Sequence, residues 1–285
     1  MRSRAPIFLG GLMRSGTTLF RAMLGQHSAV ASGLETHWFE IDWDAQRGRN
    51  GEPMADYLHR IGAFFDVEAT IVDHLMATVD SAPAYLDAFM SEVARRMGKR
   101  RWAEKTTANV RVMDRIFEYW PDAQFVHIVR DPKDVFASFR RSNKYGGAAD
   151  YGNLWCDFFA DLERFKREIP LGREQLLEVR YENLVLQPAR EMRRALDFLG
   201  EDWEPAVAIF QGNRKEYDKV VTLTGHASST LESIGRPLSR DRIGVWSEVI
   251  DEDDLATARA VVARHGLGDL FARIESETLA AGAVC

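Results

Sequence analysis

Cysteine is scarce in this chain, and long apolar runs are missing. Its 285 residues include two cysteines, Cys156 and Cys285, so no disulfide framework is expected and a reducing compartment is predicted. No stretch approaches the roughly 20 apolar residues of a membrane span, and the N-terminal segment lacks the apolar core of a signal peptide. We therefore expect a cytoplasmic protein without a membrane span.

A surplus of positive charge is also lacking. Lys and Arg number 37 against 43 Asp and Glu, which gives a formal net charge of −6. Binding to nucleic acid or to anionic lipid normally needs a basic face, so neither is a predicted partner. Any anionic ligand must then be held by local groups. Repeats and low-complexity linkers are absent as well, which favours a single domain over residues 1–285.

Short apolar runs alternate with helical patterns along most of the chain. Strands are predicted at 6–10, 101–104, 124–129 and 176–179. Helices are predicted at 17–26, 54–64, 68–79, 84–97, 110–120, 132–141, 153–168, 188–199 and 203–211, and a long loop at 221–239. This alternation predicts an α/β fold with a central parallel sheet flanked by helices in three layers. The helical insertion at about 54–100 is expected to cover a site.

The first strand leads into a phosphate-binding type of loop. Gly11 to Thr18 has the glycine spacing of a P-loop, but Thr17 stands where the nucleotide-hydrolysing version has lysine. Backbone N–H groups of such a turn and of the following helix converge on one anion, and hydroxyl groups add donors. Because the missing lysine normally bridges two phosphates, the loop suits a single 5′-phosphate. The alternative is a Gly-Ser turn that only caps a helix. The predicted binding residues are Arg14, Ser15, Gly16, Thr17, Thr18 and Leu19.

A second anchor follows the most apolar strand. Arg130 stands at the end of that strand, where open α/β sheets bind ligands, and Ser138 lies about two turns along the next helix. Together they predict a second phosphate site. Taken alone, the same segment also fits a surface pair of Arg130 with Asp131.

These two motifs, in this order, resemble those of PAPS-dependent sulfotransferases. The run from Phe8 through Arg14-Ser15-Gly16-Thr17-Thr18-Leu19 is similar to the family's 5′-phosphosulfate loop, and Arg130 with Ser138 to its 3′-phosphate motif. The nearest pattern is the branch of the tyrosylprotein sulfotransferases and their bacterial relatives, and it spans Phe8 to Trp246. The resemblance implies a P-loop-like fold, PAPS as cosubstrate and PAP as product.

Further roles follow from the resemblance, position by position. Glu35 matches the family's general base, and Lys105 matches the lysine that steadies the leaving group, with Arg14 as a possible assistant. Tyr181 matches a tyrosine that helps hold the 3′-phosphate. A loop that closes over the nucleotide, at about 221–246, is matched by Ser229, Thr230 and Arg236, and Thr230 occupies the place of a catalytic-site serine.

The chain departs from the branch at two positions. The basic residue before Trp246 is replaced by Val245, so Arg236, Arg240 or Arg242 must supply that charge. His37 stands where the protein-tyrosine enzymes have an arginine that helps bind acidic peptides, which disfavours a protein-tyrosine acceptor.

The residue chemistry predicts an in-line displacement. A hydroxyl needs its proton removed by a carboxylate within hydrogen-bond reach, and charge growing on the leaving oxygen needs a cation. Glu35 is the predicted base. His37 is the competing candidate and is otherwise predicted to bind the substrate in the acceptor pocket. Aromatic side chains just after Glu35, at Trp38, Phe39 and Trp43 and later at Phe64 and Phe65, are expected to line an acceptor pocket or to belong to the core.

Two other functions and a metal requirement are disfavoured by the sequence. A P-loop small-molecule kinase is disfavoured by Thr17, and a non-catalytic nucleotide-binding protein by the presence of both Glu35 and Lys105. No His, Cys and carboxylate cluster has metal-ligand spacing, so no metal is predicted. The acceptor is a hydroxylated compound of open class, and a homodimer is possible.

Overall fold

The computed structural model describes residues 5–142, 146–170, 172, 174–225 and 234–282, without the side chains of 278–282. Within them a parallel sheet has the order β2-β3-β1-β4-β5. Its strands are β1 (Ile7–Gly10), β2 (Val30–Ser32), β3 (Arg101–Lys105), β4 (Gln124–Val129) and β5 (Leu176–Arg180). The predicted α/β architecture is thus confirmed, and the sequence patterns missed β2, which has three residues.

Helices cover both faces of the sheet. They are α1 (Thr17–Leu24), α2 (Met54–Phe64), α3 (Ala69–Thr78), α4 (Ala82–Arg96), α5 (Met113–Tyr119), α6 (Pro132–Ser142), α7 (Ala148–Glu168), α8 (Tyr181–Leu186), α9 (Pro188–Leu199), α10 (Arg214–Thr224), α11 (Glu252–Arg264) and α12 (Gly268–Gly282). The insertion predicted at about 54–100 contains α2 to α4. Its α4 packs against β3 and β2 at one edge of the sheet.

Alternating side chains of the strands divide the core into two clusters. Phe8, Trp102 and Phe125 point into the cluster shared with α2 to α7, whereas Ile7 and Leu9 point into the cluster under α1 and α9. Parallel strands that are buried on both faces need apolar residues at successive positions, and the β1 run supplies them. The three layers predicted from the sequence follow from this division.

Two of the predicted elements are wrong. The helix predicted at 203–211 is a short 3₁₀ turn, Pro205–Ala208, and Gly212 follows with a left-handed φ of 88°. The loop predicted at 221–239 is wrong at 221–224, which form the last turn of α10. This helix begins after Asn213, whose side chain caps it by accepting from the Glu216 N–H. Of the predicted closing loop at about 221–246, residues 226–233 lie outside the described residues.

The topology places one crevice at the C-terminal ends of the strands. Strand order reverses direction at β1, which has β3 on one side and β4 on the other. Open α/β sheets bind ligands at such a switch point, beyond the C-terminal edge. The loop at 11–16 follows β1, Lys105 ends β3, and Arg130 follows β4. The main predicted site residues therefore converge on this crevice.

Candidate active site at the C-terminal edge of the sheet

The loop between β1 and α1 is shaped by left-handed backbone. Arg14 has φ 72° and Gly16 has φ 93°. A Cβ atom on Gly16 would lie 2.3 Å from Cδ2 of Tyr181, so a side chain has no room there. Helix α1 begins after Gly16, which has no side chain to cap it, so the first N–H groups of the helix can serve a ligand. Such a helix N-terminus, opening on a crevice, is suited to an anion.

Arg130 lies on the opposite wall of this loop. Its side chain is 7% exposed, and Nη1 donates to the Arg14 carbonyl at 2.9 Å while Nη2 donates to the carbonyl of Arg242. The guanidinium carbon lies 4.5 Å from the centre of the Tyr181 ring. Among the described residues, the buried Nε has no hydrogen-bond partner. A buried donor without a partner is uncommon, and here it fits an anionic ligand.

Ser138 joins the two predicted anchors. Its hydroxyl oxygen accepts a hydrogen bond of 2.9 Å from Nε of Arg14 and keeps its own proton for another acceptor. Arg14 therefore makes two contacts: its side chain donates to Ser138 of α6, and its backbone carbonyl accepts from Arg130. The structure thus brings four predicted cofactor-binding residues together: Arg14, Arg130, Ser138 and Tyr181.

Other predicted residues of the loop have supporting positions. Ser15 and Thr17 are buried, and the Thr18 hydroxyl accepts from Lys105 Nζ at 3.2 Å. Leu19 packs its side chain against the core under α1, so any contact with a ligand is left to its backbone. Through the Thr18 hydroxyl, the loop is thus in contact with Lys105.

The segment before the last two helices is attached to α6. The buried carboxylate of Asp134 accepts from the N–H groups of Gly244 at 2.7 Å and Trp246 at 3.1 Å. Arg242 is the one of the three predicted replacement arginines whose carbonyl contacts Arg130. Arg236 is exposed, and its backbone lies beside Gly212. Ser229 and Thr230 lie outside the described residues, so their predicted roles stay predictions.

Glu35 and Lys105 form the centre of the second half of the site. Lys105 Nζ, on a side chain that is 3% exposed, donates to Oε1 of Glu35. Burial raises the pKa of the Glu35 carboxyl, but the charge of Lys105 and the hydrogen bond from His37 outweigh it and hold the pKa well below its ordinary value. Glu35 is therefore ionised at neutral pH and able to accept a proton.

His37 lies on the outer side of Glu35. Its Nε2 is 3.1 Å from Glu35 Oε2, and its Nδ1 is 2.7 Å from Glu40 Oε1. Burial lowers the pKa of the imidazole, but the hydrogen bonds to Glu35 and Glu40 outweigh it, so that the pKa is raised. Both candidates for the base are thus in direct contact with each other.

The sequence patterns missed the carboxylate that holds this region in place. Glu104, 1% exposed, accepts from the hydroxyl groups of Thr36 and Thr106 at 2.8 Å each and from the Asn109 amide at 2.6 Å. The Thr106 hydroxyl in turn accepts from the His37 N–H at 3.0 Å. An acidic residue inside an otherwise buried strand was the available signal, because it needs donors around it.

The aromatic residues after Glu35 divide between core and cavity. Trp38 is 5% exposed and stacks on Tyr85 at 5.4 Å between centroids, so of its two expected places, pocket or core, it occupies the core. Phe65 is buried against Gly33. Phe39 instead lines a cavity of about 290 Å³ together with Glu40, Thr106, Asn109, Arg111 and Asp161. Two of its lining residues, Glu40 and Thr106, contact His37.

Across the described ranges, no three His, Cys, Asp or Glu side chains are grouped as metal ligands. In the same part of the chain, no helix has the length and apolar character to span a membrane.

The crevice combines an anion-binding helix N-terminus, buried arginine donors and an adjacent carboxylate–lysine pair, and it defines an enzyme that transfers a group from an anionic donor. More particularly, the chain belongs to the sulfotransferase family, whose profile matches residues 6–205. This assignment confirms the resemblance to PAPS-dependent sulfotransferases and the α/β fold that it implied.

Known proteins agree with the assignment. Protein-tyrosine sulfotransferase 2 of Gallus gallus is 25% identical over 274 residues, which cover 91% of this chain and 68% of that protein. The sulfotransferase domain of the Synechococcus PCC 7002 olefin synthase has a TM-score of 0.67 at 20% identity, covering 91% of this chain and 96% of that domain. Mouse sulfotransferase SULT7A1, solved in complex with PAP, has a TM-score of 0.52 at 14% identity, with 95% and 89% covered.

Proposed function

We propose that this enzyme transfers the sulfuryl group of PAPS to a hydroxyl of its acceptor by in-line displacement, with Glu35 as general base. Lys105 carries the proposal, because its Nζ contacts both Thr18 at the anion loop and Glu35. A cation in this place lies between a donor bound on the loop and a base that faces the acceptor. PAP and a sulfate ester are the products.

The crevice fits the two phosphate ends of the cosubstrate. Backbone N–H groups at the start of α1, with the Ser15, Thr17 and Thr18 hydroxyls, would hold the 5′-phosphosulfate. Arg130 Nε, Ser138 and Tyr181 would hold the 3′-phosphate. The mouse structure with PAP supports the same class of ligand. Bound PAPS supplies the sulfuryl group and an anionic leaving group.

Lys105 and Glu35 then have coupled roles. In the structure Lys105 stabilises the charge of Glu35, which makes Glu35 a weak base. When Lys105 instead stabilises the charge that grows on the leaving oxygen, Glu35 loses this stabilisation and its proton affinity rises. Proton removal from the acceptor thus becomes favourable as the bond to the leaving group breaks. Arg14 and, from the sequence, Thr230 are proposed to assist.

The acceptor is proposed to enter through the cavity beside Phe39 and His37. Relatives named protein-tyrosine sulfotransferases suggest a phenolic hydroxyl, but His37 replaces the arginine expected for acidic peptides. A kinase is disfavoured by Thr17 at the lysine position, and a non-catalytic binding protein by the Glu35–Lys105 contact. No metal requirement, a cytoplasmic location and a possible homodimer stay predictions.

Calorimetry and a transfer assay test the proposal. We expect tight binding of PAP without metal, no comparable binding of Mg-ATP, and transfer from ³⁵S-labelled PAPS to at least one of pooled phenols, hydroxylated metabolites, glycans or tyrosine peptides. Preference for Mg-ATP over PAP would overturn the proposal. PAP binding without transfer to any pool would favour the non-catalytic alternative.

A further inference from the structure

His37 is held between two carboxylates. Its Nε2 lies 3.1 Å from Glu35 Oε2, and its Nδ1 lies 2.7 Å from Glu40 Oε1. Glu35 contacts Lys105 through its other oxygen, and Glu40 contacts Arg49 Nε at 2.6 Å through its other oxygen. A continuous hydrogen-bonded path therefore runs from the buried reacting groups to an exposed arginine.

The backbone shows that this position of the ring is built into the fold. His37 has φ 48° and ψ 35°, a left-handed conformation that is strained for a residue with a Cβ atom. Its N–H is held by the Thr106 hydroxyl at 3.0 Å, and that hydroxyl donates to the buried Glu104. Strain that is fixed by a buried network at a site is commonly associated with function.

The contacts of Arg49 select one neutral tautomer. Arg49 Nη1 lies 3.0 Å from His37 Nε2, and a guanidinium can only donate. Neutral His37 therefore carries its proton on Nδ1, directed at Glu40, and its Nε2 accepts from Arg49. When Glu35 is protonated, its O–H can donate to the same Nε2, and the ring that has taken up this proton donates from Nε2 to Glu35.

We propose that His37 and Glu40 form a proton relay behind Glu35, an inference that rests on the proposed sulfuryl transfer. The acceptor O–H bond breaks as its oxygen bonds to sulfur and the bond from sulfur to the PAP oxygen breaks. The proton moves to Glu35 and then to His37 Nε2, and Glu40 stabilises the imidazolium. Water takes the proton from His37, which restores the neutral ring; the net products are sulfate ester, PAP and one proton.

The charges around His37 support this direction of transfer. Glu35 and Glu40 face the ring directly with negative charge, and Arg49 faces it with positive charge. Lys105 lowers the proton affinity of Glu35, while the two carboxylates raise that of His37. Once PAP has left and Lys105 again contacts Glu35, a proton on Glu35 is less stable than one on His37. His37 and Glu40 act through Glu35 and are positioning residues for the base.

Titration of the His37 imidazole by NMR tests the relay without any turnover. The signal is assigned by its loss in His37→Gln. We expect the pKa of His37 in the free protein to lie above the ordinary value for histidine and to fall in Glu40→Gln, because a carboxylate that stabilises the imidazolium is lost. Glu52→Gln is the matched control, since Glu52 also pairs with an arginine, Arg60, and should leave the titration unchanged. An unchanged His37 pKa in Glu40→Gln would overturn the relay.

The pH dependence of turnover separates a relay from a merely structural role. Glu40→Gln is expected to lower kcat about tenfold, with KM and PAP affinity within about twofold, and to move the acidic limb of kcat to lower pH. The limb moves because His37 must be neutral to receive the proton. A lowered kcat with an unmoved limb contradicts the relay. Failure of the wild-type protein to bind PAP would instead overturn the proposed function. The NMR titration would still show whether Glu40 and His37 are coupled.

Discussion

The two halves of the crevice are built from different kinds of groups. On the nucleotide side, the helix N-terminus and the carbonyls of Arg14 and Arg242 set the geometry, and Arg130 is clamped between those carbonyls. On the acceptor side, side chains contact side chains, from Lys105 through Glu35 to His37. Backbone groups remain after most side-chain substitutions. A row of contacting titratable side chains, in contrast, is interrupted by a single substitution.

This difference separates binding from chemistry. The nucleotide side has the fixed donors and buried cation that an anion needs, and no described contact there requires a proton to move. The acceptor side holds the groups whose charge must change during transfer. Substitutions on the two sides should therefore alter different measured quantities.

Glu35→Gln should have the largest effect and tests whether turnover can be lost while PAP binding is retained. The amide retains one acceptor oxygen for Lys105 but cannot take up a proton, so turnover should fall about 100-fold or more with PAP affinity retained. Steady-state kinetics and calorimetry measure the two quantities, with Glu52→Gln as the control. If Glu35→Gln stays within about threefold of wild type while His37→Gln abolishes turnover, the assignment of the base is wrong.

The same variant has a consequence for stability. Because the pKa of folded Glu35 is lowered, its ionised form stabilises the fold above its unfolded pKa, and this contribution is lost as pH falls through the folded pKa. The difference in unfolding free energy between wild type and Glu35→Gln should shrink on acidification below about pH 4.5. Denaturant titrations at several pH values measure it, and a difference that grows on acidification would contradict the cause given.

Arg130→Ala tests the nucleotide side. Losing charge-assisted contacts in a crevice should weaken PAP binding about 30- to 100-fold, by far more than it disturbs folding. Arg101 offers a matched control, because it is also buried and donates to carbonyls, those of Ala5 and Leu199, at the start of β3. Arg101→Ala should reduce stability without a selective loss of PAP affinity. Equal PAP affinity in wild type and Arg130→Ala would refute the 3′-phosphate site.

How much of this could be predicted from sequence depended on how far apart in the chain the contacting residues lie. The loop at 11–18 and Arg130 follow apolar strands, so local pattern and topology rules placed them at one edge. Glu104 and Asp134 were missed, since their partners Thr36 and Gly244 are 68 and 110 residues away. The place of Trp38 could not be decided from sequence, because an aromatic run has the same pattern in a pocket and in a core. Long-range contacts decide such cases.

Gly16→Ala tests whether the backbone conformation of the loop determines PAP affinity. The new Cβ would meet the Tyr181 ring, and φ 93° is strained for alanine, so PAP affinity should fall about tenfold. Gly98→Ala imposes a similar left-handed strain, at φ 66°, with no atom within 4 Å. It should lower thermal stability and leave PAP affinity unchanged. Equal PAP affinities in both variants would mean that the loop tolerates displacement.

Ser138→Ala should have the smallest effect of these variants on PAP affinity. One hydroxyl contact to the anion is lost, and the 2.9 Å bond from Arg14 Nε is lost with it, so PAP affinity should fall about threefold. Ser142→Ala, in the same helix, removes a hydroxyl that bonds only the Phe139 carbonyl among the described contacts and should have no effect on PAP. In an Arg14→Met background the loss caused by Ser138→Ala should shrink, because the two side chains are coupled. If the two effects add fully, Arg14 and Ser138 bind independently, and the contact between them contributes nothing to the nucleotide side.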